Sequence, residues 1–270
     1  MSVLHRVLAA GAVWLALAGA AASGTLCTLV TEAATGRILL EEGDCRTRVT
    51  PASTFKLALA VMGFDAGILK GPDAPVLSWQ PGDPDWGGAA WRRDTGPRAW
   101  LQHSVVWYSQ RITRELGQAA FADYVRRFGY GNADVSGDPG KGNGLERAWL
   151  SSSLRIAPVE QAAFLRGLIM DTLPVRPEAM AKTREITERR EAGEWVIHGK
   201  TGSAYPRRAD GSFDRAHGWG WYVGWAGTGR EALIFVRLTQ AEGRTGRSQG
   251  LVTRDGLLAD WPGLAARLGR

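Results

Sequence analysis

Ser53-Thr54-Phe55-Lys56 sets a hydroxyl and an amine three residues apart, directly after Pro51-Ala52 and at the head of a long apolar stretch. Side chains at that spacing share one face of a helix. The first helical turn also carries free N–H groups and the positive end of the dipole, which favour developing negative charge. Such an arrangement suits acyl transfer with serine as nucleophile and a lysine, rather than a histidine, as base. The hydroxyl needs a base within hydrogen-bond reach, and an exposed ammonium of pKa about 10.4 cannot accept a proton at neutral pH. Burial supplies part of the answer: the apolar Phe55 and Leu57 beside Lys56 disfavour the charged form. The motif alone carries little weight, since about one S-x-x-K is expected by chance in a chain of this length. An ordinary N-cap serine before an apolar helix is the competing reading.

Further short motifs follow in order: Ser104-Val105-Val106, Tyr130-Gly131-Asn132, Trp149-Leu150, Lys200-Thr201-Gly202 and Gly220-Trp221-Tyr222-Val223-Gly224-Trp225. Each has a bland reading by itself: a buried helix segment, a turn, a core tryptophan, the end of a strand. Taken together with Ser53 and Lys56, they resemble the class D (oxacillinase-type) serine β-lactamases, within the wider group of penicillin-recognising serine enzymes. The resemblance covers nearly all of the chain after its leader. Class A enzymes are a poorer match, because Val106 stands where they carry asparagine. Their E-x-x-L-N loop is also not evident, with Trp149 three places after Glu146 and Ser151 following Leu150.

The resemblance implies a role for each motif residue. Ser53 is the nucleophile. Lys56, once neutral, adds carbon dioxide to become a carbamate that takes the Ser53 proton in acylation and then activates the deacylating water. The indole N–H of Trp149 holds that carbamate, and the apolar Val106 is consistent with a dry pocket. Ser104, assisted by Lys200, relays a proton to the β-lactam nitrogen. Tyr130 belongs to a wall at the site edge and is counted among the substrate-binding residues. Thr201 offers a hydroxyl to the substrate carboxylate, Gly202 lets substrate approach the backbone closely, and the backbone N–H groups of Ser53 and Ser203 form the oxyanion hole. Arg247 is the better match for a carboxylate-binding arginine, with Arg244 as its rival. One decoy is Gly246-Arg247-Ser248-Gln249-Gly250, which fits the G-x-S-x-G nucleophile elbow. That fold needs a later histidine, and none follows His217.

These residues sit in a chain of 270 residues with net charge +6 and pI about 9.7. Its basic pairs (Arg92-Arg93, Arg126-Arg127, Arg189-Arg190, Arg207-Arg208) are scattered among acidic residues, which reads as a solvated face and argues against a nucleic-acid partner. His5 and Arg6, the apolar run from Val7 to Leu17, and Ala20-Ala21-Ala22 read as a cleaved signal peptide over residues 1–22. Leu26 precedes Cys27, so no lipid anchor is expected, and the apolar run is short for a spanning helix. Export to the periplasm then makes the two cysteines readable. Cys27 and Cys45 lie nine residues either side of Gly36 in a stretch patterned as a hairpin, and an oxidising compartment favours a disulfide between them. His5, His103, His198 and His217 show no metal-ligand spacing, so no metal is expected.

The pattern that must position the motifs runs as follows. A strand pair near the N-terminus leads to a buried helix over Ser53–Leu69, apolar nearly all round. Residues 72–96 read as loops, rich in Gly, Pro, Asp and Trp. Helical periodicity covers Leu101–Leu116, Ala119–Phe128 and Pro158–Thr172. Short strands follow over Trp195–Lys200, Trp219–Trp225 and Ala232–Leu238, and an amphipathic helix spans Ser248–Leu268. This order predicts one catalytic domain over residues 23–270. Its α/β (α+β) part comes from about 23–70 and 190–270, with an all-helical lobe inserted over about 71–189. The resemblance implies the same fold, with a mainly antiparallel sheet flanked by helices. It also implies hydrolysis of β-lactam antibiotics. A penicillin-binding sensor domain or a cell-wall peptidase, which acylate without fast turnover, are the alternatives. Monomer and homodimer are both open.

Overall fold

Both ends of the chain feed one antiparallel sheet, and the middle supplies most of the helices. A computed structural model describes residues 23–244 and 246–270, so the leader expected over residues 1–22 lies outside the described residues. Strands β1 (Ser23–Glu32) and β2 (Ile38–Gly43) open the fold. A tight 3₁₀ turn, Ala52–Phe55, then runs into α1 (Lys56–Asp65). Helices α2 (Pro97–His103), α3 (Val106–Arg127), α4 (Gly144–Arg147), α5 (Pro158–Ile169) and α6 (Pro177–Ile186) follow. The chain returns through β3 (Glu188–Ala192), β4 (Trp195–Ala204), β5 (Trp219–Ala226) and β6 (Leu233–Ala241) before closing with α7 (Gln249–Arg267). The sheet order is β2-β1-β6-β5-β4-β3, with every neighbouring pair antiparallel.

The sheet is covered on both faces, which is why β5 and β6 are almost wholly buried and largely apolar instead of alternating with exposed polar residues. On β5, Trp221, Val223 and Trp225 face the cluster that includes α1, α3 and α5, while Tyr222 and Ala226 join Leu257, Trp261 and Leu264 of α7. Helix α1 is buried from Lys56 to Phe64, in line with its apolar circumference.

Several elements differ from the sequence reading, each for a local reason. The helix predicted over Leu101–Leu116 is broken at Ser104, which adopts a left-handed conformation (φ 59°, ψ 36°) and caps α2. The break predicted between Leu116 and Ala119 is present, because Gly117 (φ 74°, ψ 163°) interrupts the helical backbone and α3 is two helical segments meeting at that kink. Strand β3 carries Glu-Arg-Arg-Glu-Ala and no apolar alternation, so nothing in its own sequence announces a strand. The Lys200 strand runs on to Ala204, so Lys200-Thr201-Gly202 lies within β4 and does not end it.

The hairpin also has another register. Cys27 pairs across with Gly43, and a bulge falls between Val30 and Thr31. Gly43 (φ +81°) turns the chain back so closely that a Cβ there would lie 2.1 Å from the Leu26 carbonyl oxygen. This turn carries Cys45 over Cys27, and the two form a disulfide with Cα atoms 5.1 Å apart.

Candidate active site

The nucleophile turn is set by its neighbours. Ala52 adopts a left-handed conformation (φ 50°) just before Ser53. Thr54 Oγ1 donates to the Pro51 carbonyl (2.7 Å) and accepts from Gln161 Nε2 of α5 (2.7 Å). Gln161 Oε1 in turn accepts from the Tyr130 hydroxyl (3.2 Å). Phe55, one place further, packs edge-on against Tyr130 and Phe121 and tilted against Trp149. With Thr54 and Phe55 anchored inward, Ser53 is left half-buried at the surface of the turn. Lys56, the first residue of α1, is fully buried, and its Nζ lies 3.1 Å from Ser53 Oγ in a hydrogen bond.

A second serine–lysine pair faces the first. Lys200 Nζ, projecting from β4, donates to Ser104 Oγ (3.1 Å) and to the Thr201 carbonyl (3.1 Å). The strained left-handed backbone of Ser104 follows from its place between α2 and α3, where it aims the hydroxyl at β4. Burial, reinforced by the charge of Lys200, holds the Lys56 amine well below the ordinary lysine range. Burial also lowers Lys200, to about 8, with Glu188 opposing and Arg254 assisting. Burial thus disfavours the ammonium form of Lys56, while Lys200, lowered only to about 8, stays largely charged at neutral pH. Such a pair of lysines can accept a proton from one serine and deliver one through the other.

Trp149 lies in the loop after α4 and is fully buried. Thr50, just ahead of the nucleophile turn, donates from Oγ1 to the Trp149 carbonyl (3.0 Å) and accepts from the Ser151 N–H (3.1 Å). The indole Nε1 of Trp149 is buried without a hydrogen-bond partner among the described residues. A buried donor without an acceptor is costly, so this pocket suits an oxygen-bearing group. Carbon dioxide taken up on a neutral Lys56 would be such a group, and the residues present fit it. Val106, the first residue of α3, is nearly fully buried and apolar.

The other expected site residues are placed as follows. Thr201 is half-buried on β4. A Cβ at Gly202 would approach the Pro51 carbonyl oxygen to 3.0 Å and the Thr54 nitrogen to 3.2 Å, so glycine lets this strand lie against the nucleophile turn. Pairing of β3 with β4 stops at Glu188 and Gly199, and from Lys200 to Ala204 β4 is paired on its β5 side only, among the described residues. That free edge can offer backbone groups to a ligand. Ser203 Oγ accepts from the Gly250 N–H (2.8 Å) and shares a hydrogen bond with Ser248 Oγ (2.6 Å), tying the end of β4 to the start of α7. Arg247 is exposed, forms an ion pair with Asp255 (2.6 Å), and lines a cavity of about 310 Å³ beside Ser203, Tyr205 and Trp219, a cavity that Arg244 does not line.

Tyr130 corrects the sequence reading. Its side chain is fully buried among Phe55, Phe164 and Gln161, so it has no surface to offer a substrate. Its part is to support the nucleophile turn through Gln161 and Thr54. Gln161 and Thr50 were not anticipated. Gln161, beside Glu160 in the otherwise apolar stretch from Ala157 to Leu165, was the available signal, since a buried polar side chain implies a specific partner.

Comparison with known proteins agrees with this geometry. The penicillin binding protein transpeptidase domain matches residues 26–257. Beta-lactamase OXA-9 from Klebsiella pneumoniae is 40% identical over 237 residues, 87% of this chain and 86% of that protein. Beta-lactamase OXA-1 from Escherichia coli is 38% identical over 182 residues, covering 66% and 64% respectively. The crystal structure of the class D β-lactamase OXA-427 superposes with a TM-score of 0.83 at 44% identity, covering 90% of this chain and 99% of that one. With the transpeptidase-domain match spanning most of the chain and these relatives aligned over most of their length, this chain belongs to the class D β-lactamases.

Proposed function

We propose that this protein hydrolyses β-lactam antibiotics through an acyl-enzyme on Ser53 and thereby confers resistance to them. The observation that carries this reading is the facing pair of buried lysines, each 3.1 Å from its own serine hydroxyl. Ser53 Oγ attacks the lactam carbonyl, and its proton passes to the base carried by Lys56, whose ammonium form burial disfavours. The ring C–N bond breaks, and the leaving nitrogen takes a proton from the Ser104 hydroxyl, which Lys200 replenishes. Carbon dioxide taken up on Lys56 would supply a carbamate base for acylation and deacylation. Trp149, whose N–H is unpaired among the described residues, would hold it, and the apolar Val106 would keep water away.

The backbone N–H groups of Ser53 and Ser203 stabilise the oxyanion, in keeping with the approach of Gly202 to the turn. Thr201, Lys200 and Arg247 receive the substrate carboxylate, supported by the position of Arg247 in the cavity beside Ser203. Residues 23–270 act as one catalytic domain, with residues 1–22 serving as a leader removed on export to the periplasm. The Cys27–Cys45 disulfide supports an oxidising destination, and no helix among the described residues is long and apolar enough to cross a membrane.

Turnover of a chromogenic cephalosporin by the mature protein tests the reading. Sustained hydrolysis that is lost in Ser53→Ala, falls on degassing and returns with bicarbonate is the expected result. Stoichiometric penicillin labelling without turnover would instead identify a sensor or a peptidase. Covalent labelling that persists in Ser53→Ala would overturn the nucleophile.

A further inference from the structure

We propose that Arg207 is a positioning residue that locks the Trp149 loop in place, and so sets how firmly carbon dioxide is retained on Lys56. The inference rests on the carbamate reading above and concerns a residue remote from the reacting atoms.

Arg207 lies in the long connection between β4 and β5. That connection is pinched into a small hairpin of its own by a bridge between Arg207 and Phe213. The guanidinium lies 4.7 Å above the Phe213 ring and donates from Nη1 to the Gly211 carbonyl (3.1 Å), so it is oriented from its own side. It then reaches across to the segment that carries Trp149. Nε donates to the Ser151 carbonyl (2.8 Å), and Nη2 donates to Asp138 Oδ1 (2.8 Å).

Both acceptors are tied into the same loop. Asp138 also accepts from Ser152 Oγ (2.8 Å), Arg147 Nε (2.9 Å) and Asn143 Nδ2 (3.2 Å). Ser151 has a left-handed backbone (φ 53°), a conformation that a non-glycine residue keeps only where its surroundings impose it. Those surroundings are visible here. The Ser151 N–H is bonded to Thr50 on the nucleophile side and its carbonyl to Arg207 on the outer side. Ser151 is two residues from Trp149, whose carbonyl is held by the same Thr50 hydroxyl. Arg207 thus joins the connection that follows the Lys200 strand to the loop that carries the indole N–H left without a partner among the described residues. Without it, the Ser151 carbonyl and one Asp138 oxygen lose a charged donor. The left-handed turn can then relax, the indole can leave its place, and water can reach Lys56. Water favours the ammonium form of Lys56, which does not bind carbon dioxide.

The test measures carbamate directly, by carbon-13 NMR of protein titrated with labelled bicarbonate. The variants are Arg207→Ala, Arg207→Lys and, as control, the exposed neighbour Arg208→Ala, whose side chain pairs with Asp214 within the same connection. The bicarbonate concentration giving half the maximal signal should rise about tenfold in Arg207→Ala, the effect of losing one charge-assisted hydrogen bond. A smaller rise is expected in Arg207→Lys, which keeps a charge near Asp138 but loses the planar fork. Arg208→Ala should match the wild type. In Arg207→Ala, slow deacylation at low bicarbonate should be restored by excess bicarbonate, which a general loss of folding would not allow. If Arg207→Ala does not fold, the Arg207→Lys midpoint decides. A midpoint equal to wild type in the folded Arg207 variants, or an equal shift in Arg208→Ala, overturns this inference alone. Absence of any carbamate signal in the wild type overturns the carbamate reading and this inference with it.

Discussion

Gln161 offers a sharp test of how the nucleophile turn is held. It is 1% exposed and joins two groups: its Nε2 donates to Thr54 Oγ1 (2.7 Å), and its Oε1 accepts from the Tyr130 hydroxyl (3.2 Å). Gln161→Leu keeps most of the volume and removes both bonds. Tyr130 is fully buried and burial raises its pKa, so its neutral O–H loses the Gln161 acceptor and keeps beside it only the Thr54 hydroxyl, which is already engaged with Pro51. That loss costs about 1–3 kcal/mol. Thr54 still donates to the Pro51 carbonyl, so its loss is the smaller one, about 0.5–1.5 kcal/mol. The total of roughly 2–4 kcal/mol should appear as a lower urea midpoint with unchanged slope. Adding Tyr130→Phe to Gln161→Leu should recover about 1 kcal/mol, because no hydroxyl is then left unpaired. Under conditions where the variant is folded, kcat should fall by about tenfold or more, since displacing a reacting group by even about 1 Å is costly. A stability change below about 0.5 kcal/mol with kcat intact would refute the account of the turn, because surface substitutions lie in that range.

Three further outcomes are expected. Lys200, lowered to about 8, is charged below that pH and loses its charge as pH rises through it. The kcat/KM for carboxylate-bearing β-lactams should therefore decline on the alkaline side of about pH 8, and a flat profile to about pH 10 would contradict the role of Lys200. Gly202→Val should lower both thermal stability and kcat/KM. Its Cβ would press on the Pro51 carbonyl oxygen at 3.0 Å and Thr54 Cγ2 at 3.1 Å, and such overpacking costs about 1–3 kcal/mol; an unchanged melting curve and activity would argue against a close approach of β4. Replacing Cys27 and Cys45 together by serine should cost about 3 kcal/mol, given the 18-residue separation. Chemical denaturation measures this, and equal stability of oxidised wild type and variant would count against it.

Local sequence determined the parts of this protein that depend on neighbours along the chain. Ser53 and Lys56 are three residues apart, so helical geometry alone brings them together, and the apolar circumference of Leu57–Phe64 already implied that Lys56 is buried. The strands predicted over Trp219–Trp225 and Ala232–Leu238 fall on β5 and β6, and their largely apolar runs were legible because a doubly covered sheet requires them. Strand β3 was not, because its pairing with β4, rather than its own residues, makes it a strand. The cysteine pair could be recognised from sequence, but its register could not, since a bulge and the left-handed turn at Gly43 move Cys45 beyond the strand. The Tyr130-Gly131-Asn132 motif named the right region and the wrong surface. Only packing shows that Tyr130 points inward, to Gln161. Ser104 and Lys200 lie 96 residues apart, and Ser151 and Arg207 lie 56 apart. No periodicity reports such contacts. The acidity of both lysines, and the unpaired indole of Trp149, depend on water being absent. That absence is created only when segments from the whole chain close over the same small volume.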